Sequence, residues 1–146
     1  MTRAGVKCHR PANCKVVDMT RILLVEDNED ILYLLRLQLE WMGYVVDEAA
    51  SAKAALVSAQ SARPDVIVSD LRMPDVDGIE FIRRVRRIPG LVSVPAIALT
   101  GTSMGSDIQM ALANGFTTHL TKPVEASELS KAIDQLTAHR LYWKAG

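Results

Sequence analysis

No cysteine follows position 14 in this 146-residue chain; the two present are Cys8 and Cys14. A core that uses no thiol needs no disulfide, which fits a reducing compartment and an expectation of cytoplasmic residence. Long apolar runs are missing too. None approaches the roughly 18–20 residues that cross a bilayer, and no apolar stretch of the secretory kind follows the basic residues near the N-terminus. Charge of one sign is not in excess, since 17 Lys and Arg balance 17 Asp and Glu. No global field therefore favours nucleic acid or an anionic membrane, and neither is expected as a partner. The glycine-rich patterns GxGxxG and GxxxxGK followed by Ser or Thr are both absent, so no loop offers to cradle a nucleotide.

What is there alternates. Residues 1–18 carry Arg3, Lys7, Arg10 and Lys15 without any apolar period and read as a flexible extension. Cys8, His9 and Cys14 lack the paired spacing of a zinc site. Met19-Thr20-Arg21 repeats Met1-Thr2-Arg3, so the folded unit is expected to begin near residue 19 and run to about 140, with 141–146 as a short tail. Within it, ILLVE (22–26), YVVDEA (44–49), DVIVS (65–69), PAIALT (95–100) and FTTHL (116–120) read as strands. Helical stretches follow each: 28–42, one capped by Ser51, 78–88, about 106–114, and a long one from Val124. Five strand–helix units in succession predict an α/β fold, a parallel sheet with helices on both faces and right-handed crossovers.

In such sheets ligands sit beyond the carboxyl ends of the strands. There the sequence places Glu26-Asp27 after the first strand, Asp70 after the third, Thr100 at the end of the fourth and Lys122-Pro123 after the fifth. Clustered carboxylates repel unless a cation relieves them, and hard oxygen ligands suit Mg²⁺. A carboxylate can also act as nucleophile and form an acyl phosphate. Asp75 and Asp77 have simpler roles, the first in a turn after Pro74 and the second capping the helix that starts at Gly78.

ILLVEDNED, VIVSDLRMPDVDG, AIALTG and HLTKPVE, in that order over residues 21–138, resemble the receiver domain of two-component response regulators. The resemblance implies a flavodoxin-like sheet of order 2-1-3-4-5 and an Asp70 phosphorylated by a partner histidine kinase or histidine phosphotransfer protein. It implies Mg²⁺ bound by Asp27, by Glu26 through water, by Asp70 and by the backbone carbonyl of Arg72. Thr100 would bond the phosphoryl group, Lys122 would pair with it, and Lys122-Pro123 would be cis. Receivers often carry Phe or Tyr where this chain has His119, so the switch formed with Thr100 gains a side chain that can hydrogen-bond. Arg72 and Thr102 flank the acceptor and would tune the lifetime of its phosphoryl group.

On the first helix Ile31, Leu35, Leu39 and Met42 are spaced to face the sheet, leaving Tyr33, Leu37 and Trp41 as a second apolar stripe for docking a partner helix. Arg83, Arg84, Arg86 and Arg87 read as a solvated helix face rather than a nucleic-acid contact. The stretch 139–146 is too short for an output domain. A single-domain regulator or detached hybrid-kinase receiver, monomeric or weakly dimeric, is therefore expected. An aspartyl-phosphate-forming hydrolase is the alternative, weakened by Arg72 standing where a second catalytic aspartate belongs. A flavin binder of similar fold would need a phosphate loop where EDNED stands.

Overall fold

In the computed structural model, residues 19–101 and 105–145 are described. Their strands are β1 (Arg21–Val25), β2 (Val45–Ala49), β3 (Val66–Asp70), β4 (Ala96–Thr100) and β5 (Thr118–Thr121). Helices α1 (Glu29–Trp41), α2 (Ala52–Ser61), α3 (Gly78–Val85), α4 (Gly105–Asn114) and α5 (Ala126–Ala145) alternate with them. All strand pairs are parallel and the order is β2-β1-β3-β4-β5, as expected. The expected extension 1–18, with Cys8, His9 and Cys14, and Thr102 lie outside the described residues. α5 continues to Ala145, into the stretch read as a tail.

Alternating side chains along each strand divide the core in two. Leu23, Val25, Ile67 and Ala98 pack with Ala52, Ala55 and Ala59 of α2, Phe81, Ile82 and Val85 of α3, and Ala111 of α4. Ile22, Leu24, Val68, Ile97 and Leu99 pack on the other face with Leu32, Leu35 and Leu39 of α1 and Leu129 and Ile133 of α5. β3 and β4 are buried throughout, whereas the edge strands β2 and β5 are mostly half-buried. The apolar runs of the central strands are thus continuous for a physical reason, since both their faces are covered.

Local chemistry fixes the helix starts. Asn28 Oδ1 accepts from the N–H groups of Asp30 and Ile31 at 3.0 and 3.1 Å, so Asn28 is the cap and not the first turn. Ser51 Oγ accepts from Ala54 N–H at 3.1 Å and Asp77 Oδ1 from Glu80 N–H at 3.0 Å, as expected for such residues. The predicted inward face of α1 needs correcting. Leu32, Leu35 and Leu39 are buried, while Ile31 and Met42 are 39% and 42% exposed. The i, i+3, i+7 stripe starts at Leu32, which turns Ile31 outward, and Met42 is the C-cap beyond the last helical residue.

The arginine stretch also departs from expectation at one residue. Arg83 and Arg84 do face solvent, paired with Glu80. α3 ends at Val85, and Arg86 folds back half-buried. Its Nη2 and Nε donate to the Gly115 carbonyl at 2.6 and 3.1 Å, and its Nη1 donates to the Leu91 carbonyl at 2.8 Å. Burial holds its pKa below the ordinary arginine value. The side chain therefore joins the ends of α3 and α4. Arg86→Met should cost about 2 kcal/mol, because charged hydrogen bonds are lost and the Gly115 carbonyl is left without its side-chain donor. Arg87→Met, at an exposed position, should stay within about 0.5 kcal/mol of wild type. Urea midpoints of the two variants check this.

Across the other face, the Tyr44 hydroxyl lies 2.7 Å from Ser130 Oγ and donates to Asp134 Oδ1 at 2.8 Å, tying the start of β2 to α5. Burial, with Asp134 adding to it against the Ser130 bond, pushes this phenol up to about 12.

Candidate functional site

β1 and β3 are neighbours although β2 intervenes in sequence, so the strand order turns at this pair. The crevice above their carboxyl ends is where such sheets hold ligands. Val25 pairs with Ser69, Asp70 with Leu99 and Thr100 with Thr121. That register brings the polar residues after each strand to one edge.

Glu26 is 1% exposed. Its backbone N–H donates to the Ala49 carbonyl at 3.1 Å, continuing the β1–β2 ladder. One side-chain oxygen accepts from Asn28 N–H at 3.1 Å and the other from Lys122 Nζ at 3.2 Å. Asp70 is 4% exposed. Its Oδ2 accepts from Lys122 Nζ at 2.9 Å and its Oδ1 from Arg72 N–H at 3.2 Å. Asp27 is exposed, and each of Glu26, Asp27 and Asp70 offers an oxygen within 4.8 Å of the others. Lys122 is further fixed through its backbone, whose N–H donates to the Thr100 carbonyl at 2.7 Å. Lys122-Pro123 is cis, as expected.

The electrostatics follow from this packing. Burial, reinforced by the charge of Asp70, raises the pKa of Glu26 against the opposing Asn28 and Lys122 contacts. Burial works against the Lys122 ammonium, yet its bond to Asp70 and the charges of Asp70 and Glu26 outweigh that and raise its pKa. Two of the three clustered carboxylates, Glu26 and Asp70, share the one ammonium, so the negative charge of the cluster exceeds the positive charge paired with it. Such a donor set fits a divalent hard cation.

The structure brings Glu26, Asp27, Asp70 and Lys122 together at the level of side-chain atoms, with Thr100 buried beside them and tied in through its carbonyl. Arg72 contributes its N–H, and its guanidinium reaches away to Asp107 Oδ2 at 3.0 Å. His119 is half-buried in β5, paired in register with Ala98. Asp75 adopts φ 67°, a left-handed turn conformation that aspartate tolerates. Gly78 lies against the main chain of Asp70 and Leu71 and donates its N–H to the Leu71 carbonyl at 2.9 Å. Tyr33, Leu37 and Trp41 are 56%, 41% and 90% exposed. Leu34, 56% exposed, widens that surface, and the Arg36 guanidinium sits 5.4 Å from the centre of the Tyr33 ring. The Arg72–Asp107 pair was not foreseen from sequence; the acidic first turn of α4, alone in a nearly uncharged stretch, was its one signal.

Residues 22–134 match the response regulator receiver domain. The chain belongs to that family. This receiver is 45% identical over 114 residues to an uncharacterized 14.6 kDa protein in the sodA1 3′ region of Leptolyngbya boryana, covering 78% of this chain and 87% of that one. It is 42% identical over 115 residues to the KDP operon transcriptional regulatory protein KdpE of Escherichia coli, covering 79% of this chain but only 50% of the regulator. The chain thus spans half the length of that relative. Among solved structures, the receiver superposes on chemotaxis protein CheY4 of Vibrio cholerae with a TM-score of 0.78 at 35% identity, covering 81% of this chain and 98% of that one. It superposes on the receiver domain of a Pseudomonas aeruginosa sensor histidine kinase, solved with a magnesium ion coordinated in its active site cleft, with a TM-score of 0.76 at 32% identity over 82% and 98% of the two chains. Among the described residues, no helix of the receiver is long and apolar enough to cross a membrane.

Proposed function

We propose that this receiver accepts a phosphoryl group on Asp70 from a histidine kinase or histidine phosphotransfer protein in the cytoplasm. The observation that carries the reading is the position of Asp70 in the row of site residues. It stands between Glu26-Asp27 at the end of β1 and Thr100 at the end of β4, with the Lys122 ammonium 2.9 Å from its Oδ2. A new P–O bond forms at the Asp70 carboxylate as the P–N bond to the donor imidazole breaks. Lys122 meets the charge of the phosphoryl oxygens, and the Thr100 hydroxyl bonds one of them. A Mg²⁺ held by Glu26, Asp27, Asp70 and the Arg72 carbonyl would supply the remaining charge neutralisation. Thr100 and His119 then form the switch, in which phosphorylation favours one of two arrangements.

The hydrolase alternative is disfavoured. It needs an acid/base two residues after the nucleophile, and Arg72 stands there with its guanidinium paired to Asp107. The test is incubation with acetyl phosphate and Mg²⁺, followed by intact mass. One acid-labile phosphoryl group per chain supports the acceptor, whereas sustained turnover of phosphoesters supports the hydrolase.

The exposed stripe Tyr33, Leu37 and Trp41 serves, in this reading, to seat an apolar helix of the phosphodonor. Placing a charge in its middle should remove an anchor contact. Leu37→Asp is expected to slow transfer from the cognate donor by about tenfold or more, yet leave phosphorylation by acetyl phosphate within about twofold. Equal slowing of both reactions would rule out docking at this face.

A further inference from the structure

Arg72 touches the acceptor and α4 at once. Its backbone N–H donates to Asp70 Oδ1 at 3.2 Å, and its Nη2 donates to Asp107 Oδ2 at 3.0 Å. The arginine side chain is 75% exposed and the aspartate side chain 30%. The guanidinium therefore springs from a residue bonded to the acceptor but is held at the first turn of α4. Pairs this exposed hold weakly, at about 0.2–1 kcal/mol, so the contact is exchangeable.

A phosphoryl group on Asp70 is a stronger partner. It brings a charge of about −2 and three acceptor oxygens, against the single charge of Asp107, and the planar guanidinium fork matches phosphoryl oxygens well. Resting on the acceptor role of Asp70, we propose that Asp107 is a positioning residue. It parks the Arg72 guanidinium at α4, away from the acceptor, and yields it to a phosphoryl group arriving at Asp70. Until that exchange the incoming anion meets one mobile cation fewer. After it, the first turn of α4 has lost its tie to the β3–α3 loop.

The test is a double-mutant cycle on the rate constant for phosphorylation by acetyl phosphate in Mg²⁺ at fixed ionic strength, followed by intact mass. Asp107→Asn frees the guanidinium and should raise the rate constant about 1.4- to fivefold, the range that 0.2–1 kcal/mol allows. Asp107→Glu keeps the anion and should remain near the wild-type value. Arg72→Ala should lower the rate constant, and adding Asp107→Asn to it should restore little. If Asp107→Asn accelerates the wild-type and Arg72→Ala chains by the same factor, Asp107 acts through its own charge and the positioning role is overturned. No acceleration in the wild-type background overturns it as well. A wild-type chain that takes up no phosphoryl group overturns the acceptor reading, and this one with it.

Discussion

Asp70→Asn is expected to take up no detectable phosphoryl group, from acetyl phosphate or from a phosphohistidine donor, while remaining folded. The amide lacks the anionic oxygen that must attack phosphorus, and no other described carboxylate occupies the same position. Glu26 is as deeply buried, but its two oxygens are engaged by Asn28 N–H and the Lys122 ammonium at the outer side of the row. Asp27 is exposed and has neither contact. The fold should survive because two changes oppose each other. Lys122 loses one of its two anionic partners, and Glu26 loses the neighbouring charge that raises its pKa. The net change in stability should therefore be within about 1 kcal/mol. Intact mass after incubation reads the first expectation and a thermal melt the second. Phosphoryl uptake by the asparagine variant would assign the acceptor to another residue.

Gly78→Ala should damage the protein more than any comparable surface change. A Cβ at this position would stand 2.4 Å from the Asp70 carbonyl oxygen and 2.7 Å from Leu71 Cα. Both are main-chain atoms beneath the acceptor, so no flexible side chain can yield. Overpacking of this kind costs about 1–3 kcal/mol and occasionally more. For a domain of this size that is a fall in Tm of roughly 4–15 °C. The acceptor moves too, because the clash pushes on its own carbonyl, and a displacement near 1 Å costs about a hundredfold in a reaction that depends on alignment. Gly105→Ala is the matching control, since no described residue lies within 4 Å of a Cβ there. A Gly78→Ala chain that melts within 2 °C of wild type and accepts phosphate at the same rate would show that the main chain relaxes without cost, with 2 °C taken as about 0.5 kcal/mol.

The strands were readable because burial on both faces demands unbroken apolar runs, and RILLV, VIVSD and AIALT supply them. The placement of Glu26, Asp27, Asp70, Thr100 and Lys122 at one edge then followed from the parallel topology alone. Asp77 and Ser51 announced their helix starts through side-chain chemistry that acts over three residues. What could not be read has a common cause. Leu32 and Ile31 are adjacent and both apolar, so periodicity admits either as the inward residue, and only the packing of α1 on Leu24 and Val68 chooses. Arg86 and Arg72 are long cations whose partners, the Gly115 carbonyl and Asp107, lie 29 and 35 residues away. No local pattern encodes such reach. In the arginine-rich stretch four similar residues look alike, and one of them is a brace between helices.

Lys122 follows the last residue of β5, and among the described residues β5 is bonded to the sheet along one side only. The cation that balances Asp70 and Glu26 is therefore carried by the outermost strand, while both anions follow strands locked in the interior. A molecule that adds to or pulls on the outer margin of β5 is therefore expected to alter the charge balance of the site without entering it.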